Sequence, residues 1–288
     1  MARQEAQNIF LENGTDETEL LEIYGGVIEN FEKAPVSLLI KAQNPSKISA
    51  GSAEFKRFEN AGSNAYGTAR SASAGVALQT KPVVVPIDQH REIIEEFVKA
   101  DVEAYGVPAL LAKRAGNHFR SMARELDTAF FAQAYAEGTE YTATATAIDE
   151  IVEELIVKVE TISNAFIDGV DRDDIAIVLN PTKASALRVK IDTLFAEGNR
   201  IETGLLGQFH GVDVFVSNRL PKGVGQVVDM FGMVKGAVAQ PILLADQYQS
   251  EKIPLSNDWA VELFYDYGTK ALMADAVFYI GDGYSSGE

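Results

Sequence analysis

The chain contains no cysteine and only three histidines, and these shortages exclude several kinds of site. Without thiols there is no disulfide and no thiolate metal site, which is typical of proteins made in the cytoplasm. His90, His118 and His210 lie far apart in the sequence, and no two of them have zinc-ligand spacing. No apolar run approaches the roughly 18–20 residues that span a bilayer. The sequence therefore predicts neither a metal centre nor a membrane protein.

Positive charge is also scarce, with 25 Lys and Arg against 42 Asp and Glu and a formal net charge of −17. A protein that binds duplex DNA neutralises phosphates with Lys and Arg, so this balance disfavours sequence-specific nucleic-acid binding. Enclosure of nucleic acid without adhesion remains compatible with it. The chain has 288 residues, 47% of them hydrophobic, which is enough for one large core or two lobes.

One segment is rich in small residues and poor in large apolar ones. In Ser49–Gly75, 16 of 27 residues are Gly, Ser or Ala. So few large side chains cannot offset the ordering entropy of such a length, so the segment is either disordered or ordered by another copy of the chain, and its charge favours the second. Residues 41–81 carry a net charge of +4, whereas residues 1–34 carry −6. A basic loop on an acidic body predicts subunits that clasp their neighbours.

The longest predicted helix is Pro108–Glu137, about 40–45 Å at 1.5 Å per residue. Its apolar residues recur every three or four positions, so one stripe faces a core. Arg114, Arg120 and Arg124 lie off this stripe. They are interpreted either as a solvated face or as an interface with a neighbour's acidic surface.

The remaining pattern predicts an α+β fold. Asp88–Tyr105 reads as a helix, Thr146 with Asp149 resembles a capping box, and a helical stripe runs from Ile148 to Phe166. A shorter helix is expected near Glu17–Tyr24 and another at Thr182–Lys190. The predicted strands are Pro35–Ala42, Val83–Val85, Ile175–Leu179, Val212–Val216, Val224–Met233, Gly236–Leu244, and a closing antiparallel pair formed by Asp258–Tyr267 and Leu272–Ile280.

No catalytic, cofactor-binding or metal-binding residue is nominated. The acidic turn Asp168–Asp174 lacks the later glycine and the distant glutamate of a calcium-binding EF-hand loop. The glycines near Gly223 and Gly232 lack phosphate-binding spacing, and no histidine stands in a nucleophile motif.

The order of these parts resembles the major capsid protein of tailed bacteriophages, the Hong Kong 97-type fold that encapsulin nanocompartments also use. An N-terminal arm, an extended loop and a long spine helix follow one another as in that family. The sequence motifs that carry the resemblance are Ile177–Pro181 with its Asn-Pro turn, Leu205–Gly207, Val212–Val216 through Leu220–Pro221, and Trp259–Tyr267 followed by Gly268 and Lys270–Ile280.

The resemblance implies a division of the chain into five parts. These are an N-terminal arm at 1–34, the extended loop with flanking strands at 35–86, a peripheral domain with the spine helix at 87–145, an axial domain at 146–247, and C-terminal peripheral strands at 248–288. It also implies inter-subunit contacts from the loop (Lys47, Phe55, Lys56, Arg57, Phe58, Tyr66 and Arg70) and from the spine helix (Arg114, Arg120 and Arg124).

The function implied is structural: hexamers and pentamers that form an icosahedral shell around double-stranded DNA in a virion assembled in the host cytoplasm. Expected partners are further copies of the chain, a portal and in some cases a cementing protein. Met1–Ala34 leaves no room for the scaffolding region of some family members, so the resemblance implies a separate scaffolding protein or none, unless the chain is a processed product. An encapsulin-like shell around a cargo protein is the alternative, and a soluble ligand-binding or hydrolytic enzyme the distant one.

Family members that cross-link their subunits use a loop Lys, a peripheral-domain Asn and a nearby Glu. Here Asn257 lacks the matching Glu, so no cross-link is expected.

Overall fold

The computed structural model describes residues 35–44, 48–49, 51–61, 80–99, 107–192, 205–222, 227–244, 249–254, 256 and 258–281. The helices in these ranges are α1 Val36–Ile40, α2 Val107–Glu137, α3 Ile148–Glu160 and α4 Pro181–Asp192. The strands are β1 Ile48–Ser49, β2 Ser52–Phe58, β3 Thr80–Pro86, β4 Gln89–Phe97, β5 Thr139–Glu140, β6 Ile175–Leu179, β7 Leu205–Phe209, β8 Val212–Val216, β9 Val228–Val234, β10 Val238–Ala239, β11 Ile242–Leu244, β12 Gln249–Lys252, β13 Trp259–Tyr267, β14 Lys270–Ala271 and β15 Val277–Gly281. The α+β prediction is confirmed.

Two larger sheets each form one side of a core. The six-stranded sheet has the order β5-β15-β9-β6-β8-β7, and all five residues of its central strand β6 are buried. Its core includes the buried face of α3, from Ile151 to Val159. In the four-stranded sheet, β13 pairs along one edge with β4 and along the other with β11 and β12.

Helix α2 belongs to both cores. Phe119, Met122 and Leu126 pack in the core of the four-stranded sheet. One to two turns further on, Phe130 and Phe131 pack in the core of the six-stranded sheet. The predicted stripe therefore exists, but its two halves serve different sheets. Truncating a buried leucine in such a stripe costs about 2–5 kcal/mol, so α2 is a main source of stability for both.

Two sequence predictions have the wrong secondary structure. Asp88–Tyr105 was expected to be helical, but Gln89–Phe97 is strand β4, paired with β13 over nine consecutive positions. That long pairing overrides the local helical periodicity. Conversely, Pro35–Ala42 was expected to be a strand, but Val36–Ile40 is a helix. The buried Asp127 carboxylate of α2 accepts a hydrogen bond from the Ser37 N–H at 2.9 Å, which satisfies an amide in its first turn.

Further predictions fail at element ends and in pairing. Helix α3 has Ala147 at its N-cap and no side-chain cap, so the predicted Thr146–Asp149 capping box is wrong. The helix also ends at Glu160, whereas the predicted helical stripe continues to Phe166. The closing strands do not pair with each other: β13 lies in the four-stranded sheet, whereas β15 pairs with β9 in the six-stranded sheet. Within the described residues, the strands at 175–179 and 212–216, the returning strand over 83–85 and the helix over 182–190 are confirmed. The helix expected near Glu17 lies outside the described residues.

Two glycines give a stability test in opposite directions. A Cβ on Gly268 would overlap the Pro86 carbonyl oxygen, whereas a Cβ on Gly116, inside α2, would meet nothing within 4 Å. We expect Gly268→Ala to destabilise the subunit by about 1–3 kcal/mol through overpacking. Gly116→Ala should stabilise it by about 0.5–1 kcal/mol because alanine is the better helix former. Urea unfolding of both variants measures this; equal effects would contradict the described packing.

Candidate subunit interface

The β2–β3 hairpin presents two different faces. Along β2, Ala53 is fully buried and Phe55 and Arg57 are half-buried, whereas Lys56 and Phe58 are exposed. Alternation along a strand produces this division, because successive side chains point to opposite sides. On the outward face Phe58 is 51% exposed and Val84 of β3 is 49% exposed. Glu54 and Lys56 share this outward side of β2 with Phe58, so a surface of mixed charge with exposed apolar side chains faces away from the rest of the subunit.

The inward face fixes the base of the hairpin to its own subunit. The Arg57 guanidinium donates two hydrogen bonds to the Asp275 carboxylate, each 2.8 Å long, and lies 4.4 Å from the centre of the Phe166 ring. Those hydrogen bonds hold the pKa of Asp275 below its ordinary value. The Asn60 N–H also donates to the Ala165 carbonyl at 3.0 Å. The described base of the loop is thus ordered within the subunit.

The outward face of the four-stranded sheet is acidic. Residues at alternate positions of β4 and β13 point away from α2: Glu92, Ile94, Glu96, Glu262, Phe264 and Asp266, together called the acidic sheet face. Ile94 is 49% exposed and Phe264 37%. Nδ1 of His90 lies 2.8 Å from a carboxylate oxygen of Asp266. Four carboxylates around two exposed apolar side chains form a surface that suits a cationic, partly apolar partner.

The opposite face of that sheet is tied to α2 by two polar clusters. In the first, the Glu95 carboxylate accepts hydrogen bonds from the Arg114 guanidinium and lies 3.0 Å from Nε2 of the buried His118. The Arg114 hydrogen bonds lower the pKa of Glu95 despite its partial burial.

In the second cluster, Glu125 accepts hydrogen bonds from the hydroxyls of Tyr265 at 2.6 Å and Tyr267 at 3.0 Å. Arg91 forms an ion pair with the same carboxylate at 2.6 Å. Burial, with the adjacent carboxylate, raises the pKa of Tyr265. The two clusters set the position of the sheet on the helix.

The predicted contact residues fall into four groups. Lys56 and Phe58 face outward, whereas Phe55 and Arg57 contact their own subunit. Arg114 binds Glu95, whereas Arg120 and Arg124 line a cleft beside α2. Lys47, Tyr66 and Arg70 lie outside the described residues. Whether any of these residues contacts a neighbouring subunit stays a prediction.

Sequence reasoning missed the acidic sheet face. Its signal is the alternation of Glu92, Ile94 and Glu96, which has the two-residue period of a strand. The segment was interpreted as a helix, in which these three residues do not share a face. Glu95 and Glu125 were also missed, because their partners come from distant parts of the chain.

Across the part of the chain that the structure describes, no group of three or more His, Asp or Glu side chains is placed to hold a metal ion. No described helix is long and apolar enough to cross a membrane.

Comparison with solved structures places the fold. The chain is similar to the capsid of Ralstonia phage GP4, with a TM-score of 0.62, 15% identity, and coverage of 89% of this chain and 92% of that one. It is also similar to the capsid of cyanophage P-SCSP1u, with a TM-score of 0.60, 18% identity, and coverage of 88% and 89%. The chain has the Hong Kong 97-type capsid fold.

The fold is shared more widely. A virus-like particle from Pyrococcus furiosus matches with a TM-score of 0.56 and 11% identity, over 90% of this chain and 97% of that one. No family model matches the sequence. No curated protein matches it either. The fold predicted from the order of the parts is therefore confirmed by structures that share at most 18% of their residues with this chain.

The Glu95 cluster predicts a pH-dependent contribution to stability. Because the folded-state pKa of Glu95 is lowered from 4.5, its contribution is present above that pH and is lost as the pH falls through the folded-state pKa. At pH 7 we expect Glu95→Gln to lower the free energy of unfolding by about 1–2 kcal/mol, since both partners are partly exposed. The outward-facing Glu96→Gln is the matched control. Urea unfolding at pH 7 and near pH 3 measures the difference, and a Glu95 effect that persisted undiminished at the lower pH would contradict this account.

Proposed function

We propose that this protein is a structural shell subunit, the major capsid protein of a tailed bacteriophage, without enzymatic activity. Copies assemble as hexamers and pentamers into an icosahedral shell that encloses double-stranded DNA, formed in the host cytoplasm and retained in the virion. The observation that carries the proposal is the capsid fold, shared with the GP4 capsid over 89% of this chain and 92% of the other. A portal, a scaffolding protein and in some cases a cementing protein are the further partners proposed.

The five-part division expected from the sequence carries over into the proposal with one refinement. The arm, loop, peripheral and axial parts keep their ranges. Because β15 pairs with β9, we assign residues 277–281 to the sheet of the axial part and keep β12 and β13 as the C-terminal peripheral strands.

Lys56 and the exposed apolar side chains of the hairpin support a specific contact between copies, with Glu54 at the edge of the same face. We place the outward face of one hairpin, with Lys56 and Phe58, on the acidic sheet face of the next subunit. There Lys56 meets carboxylates such as Glu262, and Phe58 meets the exposed Ile94 and Phe264. Opposite charges steer the encounter, and the apolar contacts are buried on docking. The base of the hairpin, fixed by Arg57, sets the direction from which the loop leaves its own subunit.

A charge exchange tests this contact. Lys56→Glu places a negative charge against the acidic face and should raise the concentration needed for assembly about three- to tenfold, since each exposed pair contributes up to about 1 kcal/mol. Adding Glu262→Lys should restore assembly. Lys222→Glu, with the same charge change at another exposed site, is the control. Sedimentation velocity reports the particle fraction.

If Lys222→Glu inhibits assembly as strongly as Lys56→Glu, net charge and not this contact is responsible. Failure of Glu262→Lys to restore assembly would remove Glu262 from the contact. A protein that stays strictly monomeric at every concentration, with or without co-expressed phage proteins, would contradict the shell proposal itself.

The shell should hold together without covalent bonds between subunits. Attack of a lysine amine on an asparagine amide needs a base in an apolar pocket to take the proton. Glu262 and Asp266 lie on the exposed face of β13 and are only partly buried. Boiled, denatured particles should therefore run as one band of 31.2 kDa. A ladder of multiples would contradict this and would make Glu262 the first residue to replace.

The similarity to the Pyrococcus furiosus virus-like particle supports a second candidate, an encapsulin-like shell around a cargo protein. The contents of purified particles separate the two. Nuclease-protected double-stranded DNA supports the phage capsid, whereas a co-purifying protein of fixed stoichiometry supports the compartment.

A further inference from the structure

A cleft of about 470 Å³ lies between the middle of helix α2 and the turn that follows strand β8. Its walls combine apolar side chains with three arginines. The apolar part is formed by Pro35, Val36, Phe119, Ala123, Pro181 and Val216. The charged part is formed by Arg120 and Arg124 of α2 and by Arg219 of the turn, with Asp127 as the one carboxylate in the lining.

The arginines of this cleft outnumber its carboxylates by three to one. Among the described residues, no carboxylate lies within ion-pair distance of Arg120, Arg124 or Arg219. Asp127 is buried, its carboxylate accepts the Ser37 N–H at 2.9 Å, and it also interacts electrostatically with Arg219. Three positive charges along a concave surface concentrate the electrostatic field there, although the whole chain is strongly acidic. The cleft is therefore suited to an acidic ligand that also carries apolar side chains.

The chain itself supplies a segment with this chemistry. Pro35, which lines the cleft, is the residue at which the acidic segment 1–34 joins the body. That segment has eight acids and two bases, and four of the acids fall within seven residues, next to Leu20, Leu21 and Ile23. The four are Asp16, Glu17, Glu19 and Glu22.

We propose that the acidic segment around residues 16–23 binds in this arginine cleft of its own chain. The linkage to Pro35 permits it: the 11 residues between Ile23 and Pro35 reach up to about 40 Å when extended. A ligand tethered in this way has an effective concentration on the order of millimolar, so weak contacts suffice to hold it. Carboxylates pair with the arginines, and the leucines lie against the apolar wall.

The absence of cysteine allows a clean test in the full-length chain, at a concentration where sedimentation shows single subunits. A Thr18→Cys variant is labelled with a fluorescent dye, and the anisotropy of the dye reports whether the segment is held. We expect high anisotropy at low salt and a fall on addition of about 1 M NaCl, because screening weakens the charge pairs. Arg120→Glu with Arg124→Glu should give the low value without salt. Arg188→Glu, exposed on α4 outside the cleft, should leave the anisotropy unchanged.

Charge exchange completes the test. Replacing Glu17, Glu19 and Glu22 by Lys should lower the anisotropy in the wild-type body and restore it when combined with Arg120→Glu and Arg124→Glu. Circular dichroism confirms that each variant is folded. An unchanged anisotropy in the double arginine variant, or an equal loss with Arg188→Glu, would overturn the proposal.

Anisotropy that fell on dilution would show that the segment comes from a neighbouring copy and would overturn the assignment to its own chain. High anisotropy that a separate acidic protein abolished by competition would support the cleft as the docking site. Because single subunits are measured, these results do not depend on whether shells form.

Discussion

The burial of one helical stripe against two sheets is the constraint on which the rest of the structure depends. Helix α2 contributes Met122 and Leu126 to one core and Phe130 and Phe131 to the other, all fully buried. A continuous helix of 31 residues cannot change the separation of the two cores without breaking backbone hydrogen bonds. The acidic sheet face therefore has a fixed direction relative to the six-stranded sheet. In the proposed shell, that rigidity sets the geometry with which each subunit repeats.

The second feature is the separation of charge. Although the chain is acidic overall, one group of bases lies in the loop segment and another beside α2, whereas groups of acids lie on the sheet face and in the first 34 residues. Individual exposed pairs contribute little, but the proposed shell repeats each contact many times, so there weak pairs determine both the docking direction and the total stability. Unmatched like charges on the acidic sheet face also disfavour wrong pairings between equivalent surfaces.

The sequence predicted those features whose signal is local or depends on the order of the parts. The three- and four-residue spacing of apolar residues located α2, and the all-apolar run from Ile175 to Leu179 located the central strand β6. The order of loop, long helix and Asn-Pro turn indicated the capsid fold. Predictions failed where contacts with residues far away in the sequence determine the secondary structure. The helical periodicity of Ile93, Ile94, Phe97 and Val98 was overridden by pairing with β13, some 160 residues away along the chain.

The candidate site was predictable in composition but not in geometry. Counting charges identified the basic loop, but Arg57 turned inward to Asp275 because strand alternation fixes its side, and Arg114 found Glu95 only after the sheet had formed. The acidic sheet face required knowing that residues 89–97 are a strand. Arg219 joined Arg120 and Arg124 only through the packing of the turn after β8 against α2.

Electron microscopy of the purified protein tests the central claim most directly. The account predicts closed, roughly spherical particles of uniform size, or hexameric and pentameric rings when a scaffolding protein is missing. A population of single chains without rings or shells, under all conditions of concentration, salt and co-expression, would contradict it.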